Sequence, residues 1–141
     1  MSSLRYAAPA TVDEAIGLLA GASGLAKVLS GGTDLLVQLR SGRSKPALIV
    51  DTKKIPGIIG ITELDGGFVI GAATSGAMLG EHSGLLAAYP GVVEAANLIG
   101  STQVQGRASL AGNLCNASPA ADSVPAMIAA GAIAVIAGPN G

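Results

Sequence analysis

Two glycine-rich stretches about eighty positions apart carry residue types that could hold a phosphorylated ligand. The first is Leu29-Ser30-Gly31-Gly32-Thr33-Asp34-Leu35. The second runs from Ala108 through Ser109, Gly112, Asn113, Cys115 and Asn116 to Asp122. Glycine lets main-chain N–H groups come close to a ligand, and short Ser, Thr, Asn and Asp side chains can hydrogen-bond it. Residues 30–34 sit between an apolar run and a helical pattern, where free N–H groups and a helix start favour an anion. Thr33 is placed to cap that helix. The stretch is not a P-loop, because no Gly-Lys-Ser/Thr occurs, nor the G-x-G-x-x-G dinucleotide fingerprint. By themselves, residues 30–34 equally suit a tight strand-to-helix turn, and the second stretch an elaborate capping loop.

No acid, base or nucleophile is arranged for side-chain catalysis. His82 lies in a Gly-Glu-His-Ser-Gly turn with nothing to orient it and reads as a surface histidine. Cys115, the only cysteine, reads as a small buried thiol. An iron–sulfur cluster needs about four protein ligands, so this chain cannot carry one alone. Lys53, Lys54, Arg40, Arg43 and Lys45 read as solvated edges, with Arg43 and Lys45 alternatively facing a partner.

The elements that must position these residues follow from periodicity. Thr11-Val12-Asp13-Glu14 is a capping box opening a helix that ends near residues 21–24. Residues 26–29 form a short strand, 35–40 a helix and 47–51 a second strand, a βαβ order that predicts a small parallel sheet. Residues 58–64 and 68–72 predict a hairpin joined by Asp65-Gly66-Gly67. Short helices are expected around 77–79, 85–88, 92–99 and 122–130, and a strand over 132–137. Asn140-Gly141 then resembles the start of another hairpin, so the second unit is expected to be cut within its fold.

Composition narrows the class. Half of the 141 residues are hydrophobic, 12% are charged, and the net charge is −1. Disorder is thereby disfavoured. A balance this near neutral, with aromatics limited to Tyr6, Phe68 and Tyr89, argues against a nucleic-acid partner. No apolar run reaches the roughly 18 residues of a membrane span. Residues 1–6 lack a signal-peptide layout, and a single cysteine fits a reducing compartment, so a cytoplasmic location is expected.

The two stretches, in this order, resemble the FAD-binding subunit of molybdenum hydroxylases. That family includes the medium subunit of aerobic carbon monoxide dehydrogenase and the flavin domain of xanthine dehydrogenase. The resemblance runs from Tyr6-Ala7-Ala8-Pro9 through Ile99-Gly100-Ser101 to the terminal strand. It implies an α+β, two-subdomain FAD-binding fold of the PCMH type: a small parallel βαβ subdomain at 1–57, then an incomplete mixed α/β subdomain at 58–141. It also implies that main-chain N–H groups of Ser30, Gly31, Gly32, Thr33 and Asp34 hold the FAD diphosphate, with Val28, Leu29 and Ser30 lining the approach. Ile99, Gly100, Ser109, Gly112, Asn113 and Asn116 match further cofactor positions, and Asp122 matches an acidic residue that hydrogen-bonds the cofactor. The partners implied are a molybdopterin-containing large subunit and a [2Fe–2S] small subunit. Electrons would pass from the clusters through FAD to a quinone, NAD or oxygen. Relatives carry two glycines where this chain has Ala111-Gly112, so positive φ at Ala111 would impose strain. A stand-alone flavin oxidoreductase and a flavin-free assembly module are the alternative readings.

Overall fold

The computed structural model describes residues 4–141; the first three residues of the signal-peptide reading lie outside it. The chain opens with β1 (Arg5–Ala7), α1 (Val12–Ala20), β2 (Ala26–Leu29), α2 (Leu35–Arg40) and β3 (Leu48–Asp51). The three strands form a parallel sheet in the order β1-β3-β2. Arg5 pairs with Leu48 on one side of β3 and Ala26 on the other. The central strand is buried throughout, which is why it reads as a continuous Leu-Ile-Val run rather than an alternating one.

The capping box at α1 forms, with one difference from expectation. Thr11 Oγ1 accepts from the Glu14 N–H at 3.1 Å, but the Glu14 carboxylate reaches back one residue further, to the Ala10 N–H at 3.0 Å. Ala15 then faces Leu48, Val50 and Ile55, with Ile58 packed at the margin of that core. Each of the buried Leu, Val and Ile side chains contributes about 1.5–3 kcal/mol by leaving water.

The second unit begins with an antiparallel hairpin, β4 (Ile61–Leu64) and β5 (Gly67–Ile70). Its turn places Asp65 at φ 49° and Gly66 at φ 80°, the two positive angles of a type I′ turn. Six short helices follow: α3 (Gly76–Glu81), α4 (Ser83–Ala88), α5 (Pro90–Asn97), α6 (Thr102–Gln105), α7 (Leu110–Asn116) and α8 (Ser123–Ala129). Leu79, Leu85, Val92, Val93, Ala96 and Leu110 make a second core, separate from the first. Phe68 meets Tyr89 and His82 edge-on, with centroids 6.0 and 5.6 Å apart.

Several expectations need correction. The second glycine-rich stretch is not a loop: most of it is α7, started by Ser109, whose Oγ accepts the Gly112 N–H at 3.1 Å. Ala111 sits in the first turn of that helix and has no positive φ, so the expected strain does not arise. The left-handed residue is Ala117, φ 53°, which ends α7. Residues 132–137 do not form a strand, because no described residue supplies a ladder partner; Ile133, Val135 and Ile136 remain exposed. His82 is oriented after all, its Nδ1 accepting the Leu85 N–H at 3.1 Å to cap α4. Among the described residues no helix is long and apolar enough to cross a membrane.

Candidate cofactor site

Parallel strands leave a crevice beyond their carboxyl ends, and ligands of α/β sheets gather there. In this chain β2 ends at Leu29 and delivers Ser30–Asp34 to that edge. The facing wall is the start of α7, brought there by a β-bridge between Ser75 and Ser109 and by the Gly76 N–H bonded to the Ala108 carbonyl at 2.9 Å. Between them lies a cleft of about 360 Å³.

Ser30, Gly31, Gly32, Thr33 and Asp34 line one side of the cleft, with Val28 beside them. Ser109, Gly112, Asn113 and Asn116 line the other, and Ile99 also borders the cleft. Leu29, Gly100 and Asp122 fall outside it. Leu29 packs below the loop, so that a Cβ on Gly32 would stand 2.8 Å from its Cδ1. Gly100 turns against Val104, and Asp122 is exposed just before α8.

The two glycines of the first stretch have different tasks. Gly32 takes φ +82°, a left-handed angle that a side chain would strain. Gly31 is required by packing, since a Cβ there would overlap the Arg107 carbonyl. That close approach joins the first stretch to the segment before α7.

A chain of hydroxyls completes the joint. Ser30 Oγ gives its single proton to the Ala72 carbonyl at 3.0 Å. At the 3.0 Å contact between Ser30 and Ser109, Ser109 must therefore donate. Ser109 in turn accepts the Gly112 N–H, so both hydroxyl protons are used within the protein. At the cleft mouth, Gln38 Nε2 donates to Asn116 Oδ1 at 3.0 Å, bridging α2 and α7.

What remains free is donor-rich. The N–H groups of Gly31, Gly32, Thr33, Asp34 and Ala111 have no acceptor among the described residues. Thr33 forms no cap, and α2 begins without any side-chain hydrogen bond. Asn113 Oδ1 is held by the buried Ser123 hydroxyl at 2.6 Å, which leaves the amide NH2 as the group it can offer the cleft. Backbone and amide donors on residues that line one crevice, where the one lining carboxylate, Asp34, is exposed, suit a diphosphate. FAD fits this donor set.

Three residues differ from the sequence reading. Cys115 is exposed and borders the cleft, because the outer face of α7 points there and not into the core. Lys53 is no solvated edge: its Nζ donates to Asp51 Oδ1 at 2.7 Å and to the Ser30 carbonyl at 3.0 Å. Gln38 and Thr52, which also line the cleft, were missed. For Thr52 the signal is positional, since residues just past β3 lie beside the end of the neighbouring β2; Gln38 lies on α2, the helix that the first stretch opens.

Comparison with known proteins gives this geometry a family. A model described as the FAD binding domain in molybdopterin dehydrogenase matches residues 2–141. The chain is 36% identical to the carbon monoxide dehydrogenase medium chain of Hydrogenophaga pseudoflava, covering 96% of this chain and 47% of that one. It is 39% identical to the xanthine dehydrogenase FAD-binding subunit of Escherichia coli O157:H7, covering 84% and 40%. The chain thus spans less than half the length of these relatives. Among solved structures, carbon monoxide dehydrogenase from Hydrogenophaga pseudoflava aligns with a TM-score of 0.78 at 34% identity, covering 82% of this chain and 40% of that one. Reconstituted CO dehydrogenase from Oligotropha carboxidovorans aligns with a TM-score of 0.80 at 30% identity, covering 86% and 42%. The crevice at the end of a short parallel sheet, its unpaired donors and this similarity agree: the chain belongs to the family of FAD-binding domains of molybdopterin dehydrogenases.

Proposed function

We propose that this protein is the FAD-binding electron-transfer subunit of a molybdenum hydroxylase complex. In this reading electrons leave the [2Fe–2S] clusters of a small partner subunit and reach an external acceptor through FAD. A molybdopterin-containing large subunit carries out the hydroxylation, and the complex is cytoplasmic. Bound FAD supplies the redox chemistry, while the chain's own residues bind and orient it. The names of the relatives, a carbon monoxide dehydrogenase medium chain and a xanthine dehydrogenase FAD-binding subunit, support the assignment.

The observation that carries the reading is the row of N–H groups from Gly31 to Asp34, on residues that line the cleft, which have no acceptor among the described residues. They are assigned to the diphosphate. Val28, Ser30, Ile99, Ser109, Gly112, Asn113 and Asn116 complete the proposed cofactor surface, with the Asn113 amide as its main side-chain donor. Leu29, Gly100 and Asp122 are assigned supporting roles: Leu29 beneath Gly32, Gly100 at the turn after Ile99, and Asp122 ahead of the helix whose Ser123 holds Asn113. FAD then lies between two subdomains, 1–57 and 58–141, a division that the two separate cores support.

Reconstitution tests this. The purified protein supplied with FAD is expected to retain the yellow flavin spectrum through gel filtration. Gly32→Val combines a left-handed-angle strain of about 1–3 kcal/mol with a Cβ pressed against Leu29, which displaces the loop, and is expected to weaken FAD at least about tenfold. A colourless wild-type protein would overturn the flavin reading, and unchanged affinity in Gly32→Val would remove the first stretch from the site.

A further inference from the structure

An anion cradle made of main-chain N–H groups has an intrinsic weakness. Every residue that offers an N–H also carries a carbonyl, and a small rotation of the peptide planes presents oxygen instead of hydrogen to the ligand. Glycines make that rotation easy. The carbonyls entering the Gly31–Gly32 turn therefore need partners that hold them away from the cleft.

The structure supplies those partners from the segment directly after β3. Thr52 Oγ1 donates to the Leu29 carbonyl at 3.5 Å, and Lys53 Nζ donates to the Ser30 carbonyl at 3.0 Å. The lysine is itself fixed. Its Nζ binds Asp51 Oδ1 at 2.7 Å, while its own backbone N–H binds the same oxygen at 3.0 Å. The second carboxylate oxygen of Asp51 accepts from the Tyr6 hydroxyl at 2.6 Å, which ties the group to β1. Asp51 is buried and the Lys53 side chain is only 28% exposed, so neither end swings freely.

Lys53 does not line the cleft, and its charge is matched by Asp51, so it is not itself a phosphate ligand. We propose that Lys53, held by Asp51, is a positioning residue for the diphosphate loop: it locks the Ser30 carbonyl outward so that the following N–H groups stay presented to the cofactor. The residue thus acts on FAD affinity through the loop. This inference rests on the FAD reading given above.

The test is FAD titration of the full chain carrying Lys53→Met, with Lys53→Arg as the conservative variant. Removing a charged donor from a carbonyl is expected to weaken FAD by about tenfold or more. Lys53→Arg keeps a donor for Ser30 and a cation for Asp51, and is expected to stay within about threefold of wild type. The phosphorus NMR shifts of bound FAD should move in Lys53→Met and remain near wild type in Lys53→Arg, a change that a purely structural role would not produce. Should Lys53→Met fail to fold, Lys53→Gln is read by the same two measurements. Unchanged FAD affinity in the folded Met or Gln variant overturns the inference, as does weakened affinity with unmoved phosphorus shifts. Failure of the wild-type chain to bind FAD would instead overturn the functional reading, so the two failures are distinguishable.

Discussion

Asp51 concentrates three hydrogen bonds on one carboxylate: two from Lys53 and one from the Tyr6 hydroxyl. Burial opposes its ionisation, but the bonds from Lys53 and Tyr6 outweigh that and hold the carboxyl below the usual aspartate range. The Tyr6 hydroxyl moves the other way, pushed up first by its bond to Asp51, then by burial and by the aspartate charge. The signs set two limbs. A lowered carboxyl stabilises the fold fully above the ordinary aspartate value of about 4, and its contribution is lost as pH falls through the folded value. A raised phenol stabilises fully below the ordinary tyrosine value of about 10, and its contribution is lost as pH rises through the folded value. Urea midpoints followed across pH are expected to show both limbs, with Asp51→Asn flattening the acid one and Tyr6→Phe the alkaline one. An acid limb unchanged in Asp51→Asn would refute this. The glycine, serine and asparagine residues that line the cleft were legible in the sequence because their chemistry is local. Lys53 was not, because its bond to the Ser30 carbonyl joins the segment after β3 to the end of β2, and strand order is invisible to periodicity.

At the level of elements, α7 was hardest to read. Ser-Leu-Ala-Gly-Asn combines residues that favour turns, yet Ser109 capping the Gly112 N–H and the Leu110/Leu114 pair one turn apart make a helix. Packing of Leu110 into the second core decides the matter. The parallel βαβ order was legible because β2 and β3 are short apolar runs flanking a helical one. The strand expected at 132–137 shows the converse limit: apolar content marks a strand only when another strand completes its ladder. The placement of α7 opposite α2 has a testable consequence at the Gln38–Asn116 bridge. Both side chains line the cleft, so the bond is expected to slow the departure of a cofactor held there. Gln38→Ala and Asn116→Ala are each expected to speed FAD dissociation by about two- to tenfold, the effect of roughly 0.5–1.5 kcal/mol. In a double-mutant cycle the pair should cost little more than either single change. Strictly additive effects on the dissociation rate would dissolve the bridge as a unit.

Over the whole molecule, two hydrophobic cores meet at a thin seam. One gathers around Leu48 and Val50, the other around Leu79, Leu85 and Val93. The joint includes the serine hydroxyl pair, the Ser30–Ala72 and Gln38–Asn116 bonds, and the contact of Gly31 with the Arg107 backbone. Polar contacts at a partly wet seam are worth little individually, about 0.5–1.5 kcal/mol each, far less than either apolar core. Without cofactor the two cores are therefore expected to be weakly coupled, the less stable one opening alone. A ligand that binds both walls at once adds its free energy only to the state in which both are folded and docked. At a free concentration of a hundred times its dissociation constant this is about 2.7 kcal/mol. Calorimetry is expected to show a broad or split transition for the FAD-free protein, with a van't Hoff enthalpy below the calorimetric one. With saturating FAD a single sharper transition at higher temperature is expected, the two enthalpies converging. A single two-state transition in both forms, shifted but not sharpened by FAD, would mean that the cores are coupled by the polypeptide itself, and that the cofactor binds a seam already closed.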